Sequence, residues 1–255
     1  MSNFLKSLKK QSDITGLDAD KIGGGVKTFA GGIYDATIEK AYIVISSGGA
    51  MGVYLGLDLA NAEQQGKYSE TIYITSRDGN NFYVDKRTNK KRYLPGFTTI
   101  DSLSQIITGK ELADLNEEMR IVSVYDSEVG KEVHKQMPTL VDLIGRTFKV
   151  GLQQIKVNKE EKNNNGVYVP TAETKVINAI HKIFSAEGFT ITELEAAQGE
   201  IIDPVFINTW EKNFKDVVVD KTKKVDLGAK PAFSISSTNS STPSESNTKP
   251  VSLFE

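Results

Sequence analysis

No cysteine occurs in the 255 residues, which removes disulfides, thiolate metal sites, iron–sulfur clusters and cysteine nucleophiles together. Only two histidines, His134 and His181, are available for imidazole chemistry, the usual source of general bases and metal ligands in hydrolases. No run of about 18 apolar residues occurs, so no membrane-spanning helix and no membrane partner are expected. Lys6, Lys9 and Lys10 are followed by neither an apolar stretch nor a small-residue cleavage site, so no secretory signal is expected. Charge of one sign is not in excess either, with 31 Lys and Arg against 33 Asp and Glu. The net charge of −2 argues against a wholesale basic nucleic-acid binder, but a local basic groove depends on where charge sits rather than on its sum.

Nucleotide and hydrolase signatures are also missing. Gly23-Gly24-Gly25 is not followed by Gly-Lys-Ser/Thr, Gly109-Lys110-Glu111 lacks the hydroxyl of a phosphate loop, and no serine stands in a Gly-x-Ser-x-Gly elbow. Asp58 and Glu70 fall on neighbouring predicted strands and could hold a magnesium ion as nucleases do, yet such coincidences are common among so many acids. The expectation is a protein that is not an enzyme and needs no cofactor.

What is present is strand pattern. Ile33 to Ile45 is rich in β-branched and aromatic residues, Ser46-Ser47-Gly48-Gly49 is a turn signal, and Val53, Leu55, Leu57 and Leu59 alternate strictly. Thr71 to Thr75 and Phe82-Tyr83-Val84 read as further short strands, separated by Asp78-Gly79. This spacing predicts an antiparallel sheet or small barrel. Asp101 is a predicted cap for a helix through Leu103, Ile106 and Ile107 that ends at Gly109. Strand pattern returns at 147–157 and at 167–169. Val176, Ile177, Ile180, Ile183 and Phe184 then follow helical spacing, as do Phe206, Ile207, Trp210 and Phe214. The fold class is mainly β or α+β, with helical additions.

Both ends read differently. Residues 1–32, with their glycine clusters, are expected to be a flexible N-terminal arm, and 33–220 the folded domain. Residues 221–255 are expected to be a disordered linker, because Ser234 to Thr248 is almost all Ser, Thr, Asn and Pro. The chain closes on Leu253-Phe254-Glu255, an apolar tip on a tether, which reads as a docking motif for a protein partner.

The densest chemistry lies between Arg77 and Phe97. Lys86, Arg87, Lys90, Lys91 and Arg92 stand in one short stretch with a single anion, Asp85, flanked by Tyr83 before and Tyr93 and Phe97 after. Cations that follow phosphates, interleaved with rings that stack on bases, are what a single strand requires. A solvated hairpin tip with core rings at its base has the same composition. Tyr34, Tyr42, Tyr54 and Tyr73 are second-rank stacking residues, since alternation turns some of them inward.

Ordered motifs run through the chain: Gly32-Ile33-Tyr34-Asp35-Ala36-Thr37-Ile38, Ser47-Gly48-Gly49-Ala50-Met51, Glu70 to Thr75, Asn81 to Lys86, Tyr93-Leu94-Pro95-Gly96-Phe97, Thr108 to Leu112 and Tyr168 to Thr174. In this order they resemble phage-encoded single-stranded DNA-binding proteins, over roughly residues 30–215. The resemblance implies an OB-like β-barrel that coats DNA in phage replication, recombination or repair, without catalysis, in the cytoplasm of an infected bacterium. The basic-aromatic segment agrees with it, and the residues expected to meet single-stranded DNA are Arg77, Tyr83, Lys86, Arg87, Lys90, Lys91, Arg92, Tyr93 and Phe97, with phage or host replication or recombination proteins expected at the C-terminal tip. One departure concerns the tail, which lacks the strongly acidic character common among such binders and holds only Glu245 and Glu255 against Lys249. The rival readings are a phage structural or adaptor protein that uses its sheet for assembly and, behind it, a metal-dependent nuclease.

Overall fold

A computed structural model describes residues 28–225 except 127–128, 164–166, 198 and 200–202. The expectations for the glycine-rich segment before residue 28, the linker after 225 and the tip at Leu253, Phe254 and Glu255 lie outside the described residues.

Eight of the ten strands among the described residues form one sheet. Its spine is β1 (Gly32–Ile45), which pairs antiparallel with β2 (Met51–Ala60), itself paired with β3 (Gln65–Tyr73). A small second sheet, β4 (Phe82–Val84) with β5 (Lys91–Tyr93), precedes helix α1 (Pro95–Thr108). Next comes a ribbon of β6 (Glu117–Asp126) and β7 (Lys131–Leu140), then the long hairpin β8 (Thr147–Lys162) and β9 (Tyr168–Phe184). Helices α2 (Ile191–Ala197) and α3 (Phe206–Phe214) and strand β10 (Val218–Asp220) complete the order, with β10 parallel to β8. On its second edge β1 meets β8 over Gly32–Thr37 and β7 at Tyr42. The mainly antiparallel β architecture with helical additions matches the class read from the pattern.

Alternation sets the core. Tyr34, Ala36 and Ile38 point inward from β1, and a register shift at Glu39 moves the inward set to Ala41. They meet Val53, Leu55, Leu57 and Leu59 of β2 and Phe148, Val150 and Leu152 of β8. Ile100 and Leu103 of α1 complete this core. Helix α1 begins at Pro95, where a missing N–H costs nothing, and ends on Gly109 at φ 73. Asp101 is therefore inside the helix rather than its cap. Its carboxylate accepts from the Leu112 N–H (2.9 Å) and the Gln105 side chain (2.7 Å).

The sheet is not closed. The β3 and β9 edges share no backbone ladder among the described residues, and side chains bridge them instead. Ile180 N–H of β9 donates to Glu70 Oε2 of β3 at 2.8 Å, and the Tyr68 hydroxyl donates to the same oxygen at 2.7 Å. Below them Phe29 fills the gap, its ring edge-on to Tyr34 and Tyr68. The Asn178 side chain acts as a surrogate strand for Phe29, accepting its N–H and donating to its carbonyl, both at 2.8 Å. Residues 28–32 thus belong to the folded body, which corrects the arm boundary at 32: Phe29 is buried and Gly32 opens β1.

Burial raises the pKa of Glu70, against the two donors that stabilise its carboxylate. A raised folded-state value means that stability from this group is full below the unfolded value of about 4.3 and is lost as the pH rises through the folded one. Glu70→Gln keeps an acceptor oxygen but cannot ionise. It is expected to gain stability relative to the parent protein as the pH rises from about 4 to about 8. Urea denaturation across that range checks this, and parallel pH profiles would contradict it.

The second correction concerns residues 176–184, which form the end of strand β9 and not a helix. The register shifts between Gly151↔Lys182 and Leu152↔Ile180, which leaves His181 as an extra residue in a β-bulge. Inward residues Ile180 and Ile183 are three apart because of that bulge, so a strand carries helical spacing.

Candidate nucleic-acid interface

The β4–β5 hairpin is closed by a turn in which Asp85 does most of the bonding. Its N–H donates to the Lys90 carbonyl (2.9 Å), its carbonyl accepts from Asn89 (2.7 Å), and its carboxylate accepts from Arg87 N–H (2.9 Å). Asn89 takes φ 51, which asparagine tolerates. Lys86, Arg87 and Lys90 are all exposed at this tip. Arg92 turns back to Asp85, with Nε 3.2 Å from the carboxylate, and Lys91 Nζ lies 4.3 Å from the centre of the Phe82 ring.

Tyr83 pairs across the hairpin with Arg92, and Phe82 with Tyr93. Tyr83 is 44% and Tyr93 64% exposed, which leaves both rings accessible for stacking. Phe97, in the first turn of α1, is half-buried against the core, its ring centre 5.1 Å from that of Tyr93. It supports Tyr93 more than it offers a free surface. Arg77 lies apart from the hairpin tip, across the turn between β1 and β2. A Cβ placed on Gly48 would stand 3.2 Å from its Nε.

A groove of about 540 Å³ runs beside the hairpin. Tyr83, Arg92 and Tyr93 form one wall, α1 contributes Pro95, Thr98, Thr99 and Ser102, and β9 supplies His181 and Lys182. The structure therefore brings three sequence-predicted residues together in a groove, leaves Lys86, Arg87 and Lys90 exposed on the turn of the same hairpin, and sets Arg77 elsewhere. His181 and Lys182 were missed as site residues. Reading 176–184 as a helix hid them, and only an allowance for a bulge in a strand would have turned them toward the hairpin.

Behind the groove, Trp210 of α3 is 1% exposed and packs so tightly on β8 that a Cβ on Gly151 would lie 2.8 Å from the indole. Its Nε1–H donates to His181 Nδ1 at 2.7 Å, and the Phe214 ring centre lies 4.6 Å from the imidazole centre. Burial, with help from Lys221 and Lys182, lowers the His181 pKa and keeps the ring neutral near neutral pH. Helix α3 is held by Glu193 of α2, whose Oε1 accepts the N–H groups of Val205 (3.0 Å) and Phe206 (2.9 Å) at the start of α3.

The second-rank tyrosines divide. Tyr34 is inside the core, while Tyr42 and Tyr54 stack on the outer face of β1 and β2 with ring centres 4.6 Å apart. Tyr42 is itself buried, which pushes its phenol pKa up to about 12. Lys40 Nζ on that face donates to the Ser123 carbonyl of β6 at 3.0 Å, so the ribbon leans over it. Tyr73 is exposed. Asp58 and Glu70 do not form a metal pair: Asp58 lies opposite Lys67 on the outer face, whereas Glu70 lies opposite Leu55 on the inner one. His134 is exposed on β7. No helix among the described residues is long and apolar enough to cross a membrane.

Compared with known proteins, the chain matches no protein-family model and no curated protein sequence.

Proposed function

We propose that this protein binds single-stranded DNA with little sequence preference and without catalysis, on an OB-like barrel. The observation that carries the reading is the groove where two exposed tyrosines, Tyr83 and Tyr93, stand with Arg92 and Lys182, while Lys86, Arg87 and Lys90 are exposed on the turn of the same hairpin. The topology supports an OB-like barrel. A β1–β2–β3 meander, a helix, and a β8–β9 hairpin that returns to β1 leave an open seam between β3 and β9 among the described residues, as in a partly open five-stranded barrel. In that arrangement Arg77 lies against the β1–β2 turn, one of the two loops with which such barrels bind oligonucleotides. The setting in phage replication, recombination or repair, in the cytoplasm of an infected bacterium, rests on the sequence resemblance.

A salt titration on labelled oligo-dT and on duplex DNA tests the reading. Binding to the single strand should be tighter and should weaken with a log–log slope of about −0.7 per phosphate neutralised. Equal affinity for the two, or none, sinks it. Tyr93→Ala should weaken binding about tenfold with an unchanged slope, because stacking releases no counterions. Unfolding of that variant, seen by circular dichroism, would assign the ring to the core.

The tip, Leu253, Phe254 and Glu255, belongs to the same proposal as a docking motif for a replication or recombination partner. Deleting 234–255 should leave oligonucleotide affinity within about twofold and abolish partner capture in a pull-down from infected cells. A truncation that bound DNA many times more tightly would make the tail autoinhibitory instead.

One surface favours a second reading, the adaptor or structural protein. Met119, Ile121 and Tyr125 stand exposed along one face of β6. Large assemblies formed at low salt without DNA, measured by light scattering, would support it.

A further inference from the structure

The geometry points to the β9 bulge as a phosphate-binding subsite, in which His181 offers a neutral Nε2–H donor and Lys182 a charge to one backbone phosphate of the strand in the groove. This rests on the single-stranded DNA reading.

The bulge has two outlets. Its first residue, Ile180, has its N–H turned to Glu70 at the seam, while His181 and Lys182 line the groove that faces Tyr83, Arg92 and Tyr93. Bulges re-aim side chains in this way next to functional sites. The imidazole state follows from its partner. An indole N–H only donates, so the His181 Nδ1 that receives it at 2.7 Å carries no proton, and the neutral ring must bear its proton on Nε2. With Nδ1 taken by Trp210 and one ring face against Phe214, the Nε2 edge is the polar part left to the groove. Lys182 reaches along the same wall, its Nζ 5.3 Å from the Phe206 ring centre. A neutral donor and a cation on one wall suit a phosphate, which accepts through several oxygens. Trp210 is then a positioning residue. It fixes the tautomer and so connects the seating of α3 to the groove.

The test uses the full chain and oligo-dT. His181→Asn places an amide oxygen where Nδ1 was, retaining an acceptor for Trp210 while removing the Nε2 donor. Affinity should fall about tenfold with the salt slope unchanged. Lys182→Gln should weaken binding about fourfold at about 0.15 M salt and flatten the slope by about 0.7. Trp210 is the single tryptophan, so its fluorescence reports whether each variant keeps α3 seated. In the unaltered protein, the ¹⁵N spectrum of His181 should show an unprotonated Nδ1 at pH 7 and a shift of Nε2–H when oligonucleotide is added. Trp210→Phe should mix the tautomers. Variants that bind with the affinity and slope of the parent would overturn the subsite and leave the DNA reading standing. A parent protein that binds no single strand would overturn both.

Discussion

Alanine at Lys86, Arg87 and Lys90 together is expected to lower oligo-dT affinity about 50-fold at about 0.15 M salt and to flatten the salt slope by about 2. Each phosphate contact adds about 0.7 to the slope, so three contacts amount to about 1.7 decades of affinity at that salt. These cations are the informative ones to remove, because the turn is held by Asp85 and by backbone groups that alanine retains. Arg92 would be a poorer choice. Its Nε neutralises Asp85, whose side chain is only 14% exposed, so its loss would disturb the hairpin as well as the groove. A triple variant whose affinity falls while its slope stays that of the parent would show that these charges do not meet phosphate.

Gly96→Ala should cost about 3 kcal/mol or more of stability and weaken DNA binding with it. A Cβ at this position would lie 2.1 Å from the Tyr73 carbonyl oxygen and 3.0 Å from Ile72 Cγ2. The oxygen is backbone at the end of β3, so no side-chain rotation relieves the contact. The first turn of α1 would have to lift from the strand, carrying with it Pro95, Thr98 and Thr99 of the groove floor and the Tyr93–Phe97 ring pair. Chemical denaturation of the variant measures the cost. Stability equal to that of the parent would mean that helix and strand do not approach so closely.

The strands that bury one face were legible in the sequence, and those that do not were missed. Val53, Leu55, Leu57 and Leu59 alternate without interruption because β2 lies in the middle of the sheet. The β6–β7 ribbon was not read at all, since most of its residues are exposed and both faces carry mixed polarity. A two-stranded ribbon has no core to impose a period. Residues 176–184 misled for the opposite reason: a real core face was there, but one inserted residue reset its phase. At the candidate site, local composition found the hairpin residues, which are close in sequence. It could not find His181 and Lys182, about 90 residues away, because only the β8–β9 return brings them to the groove.

The position of β1 also sets an order of events for a growing chain. Its first edge is satisfied by β2 within a few residues, but its second waits for β8, whose first residue is Thr147. At synthesis rates of roughly 5–20 residues per second, the meander of β1, β2 and β3 is complete several seconds before β8 leaves the ribosome. Through that interval Tyr34, Ile38, Leu55 and Leu57 lack the cover that Phe148, Val150 and Leu152 later give, and the open edge of β1 can recruit any passing strand. Pairing over so long a separation is intrinsically slow. Production of the full chain should therefore improve when synthesis is slowed by lower temperature, and fragments ending before residue 147 should aggregate.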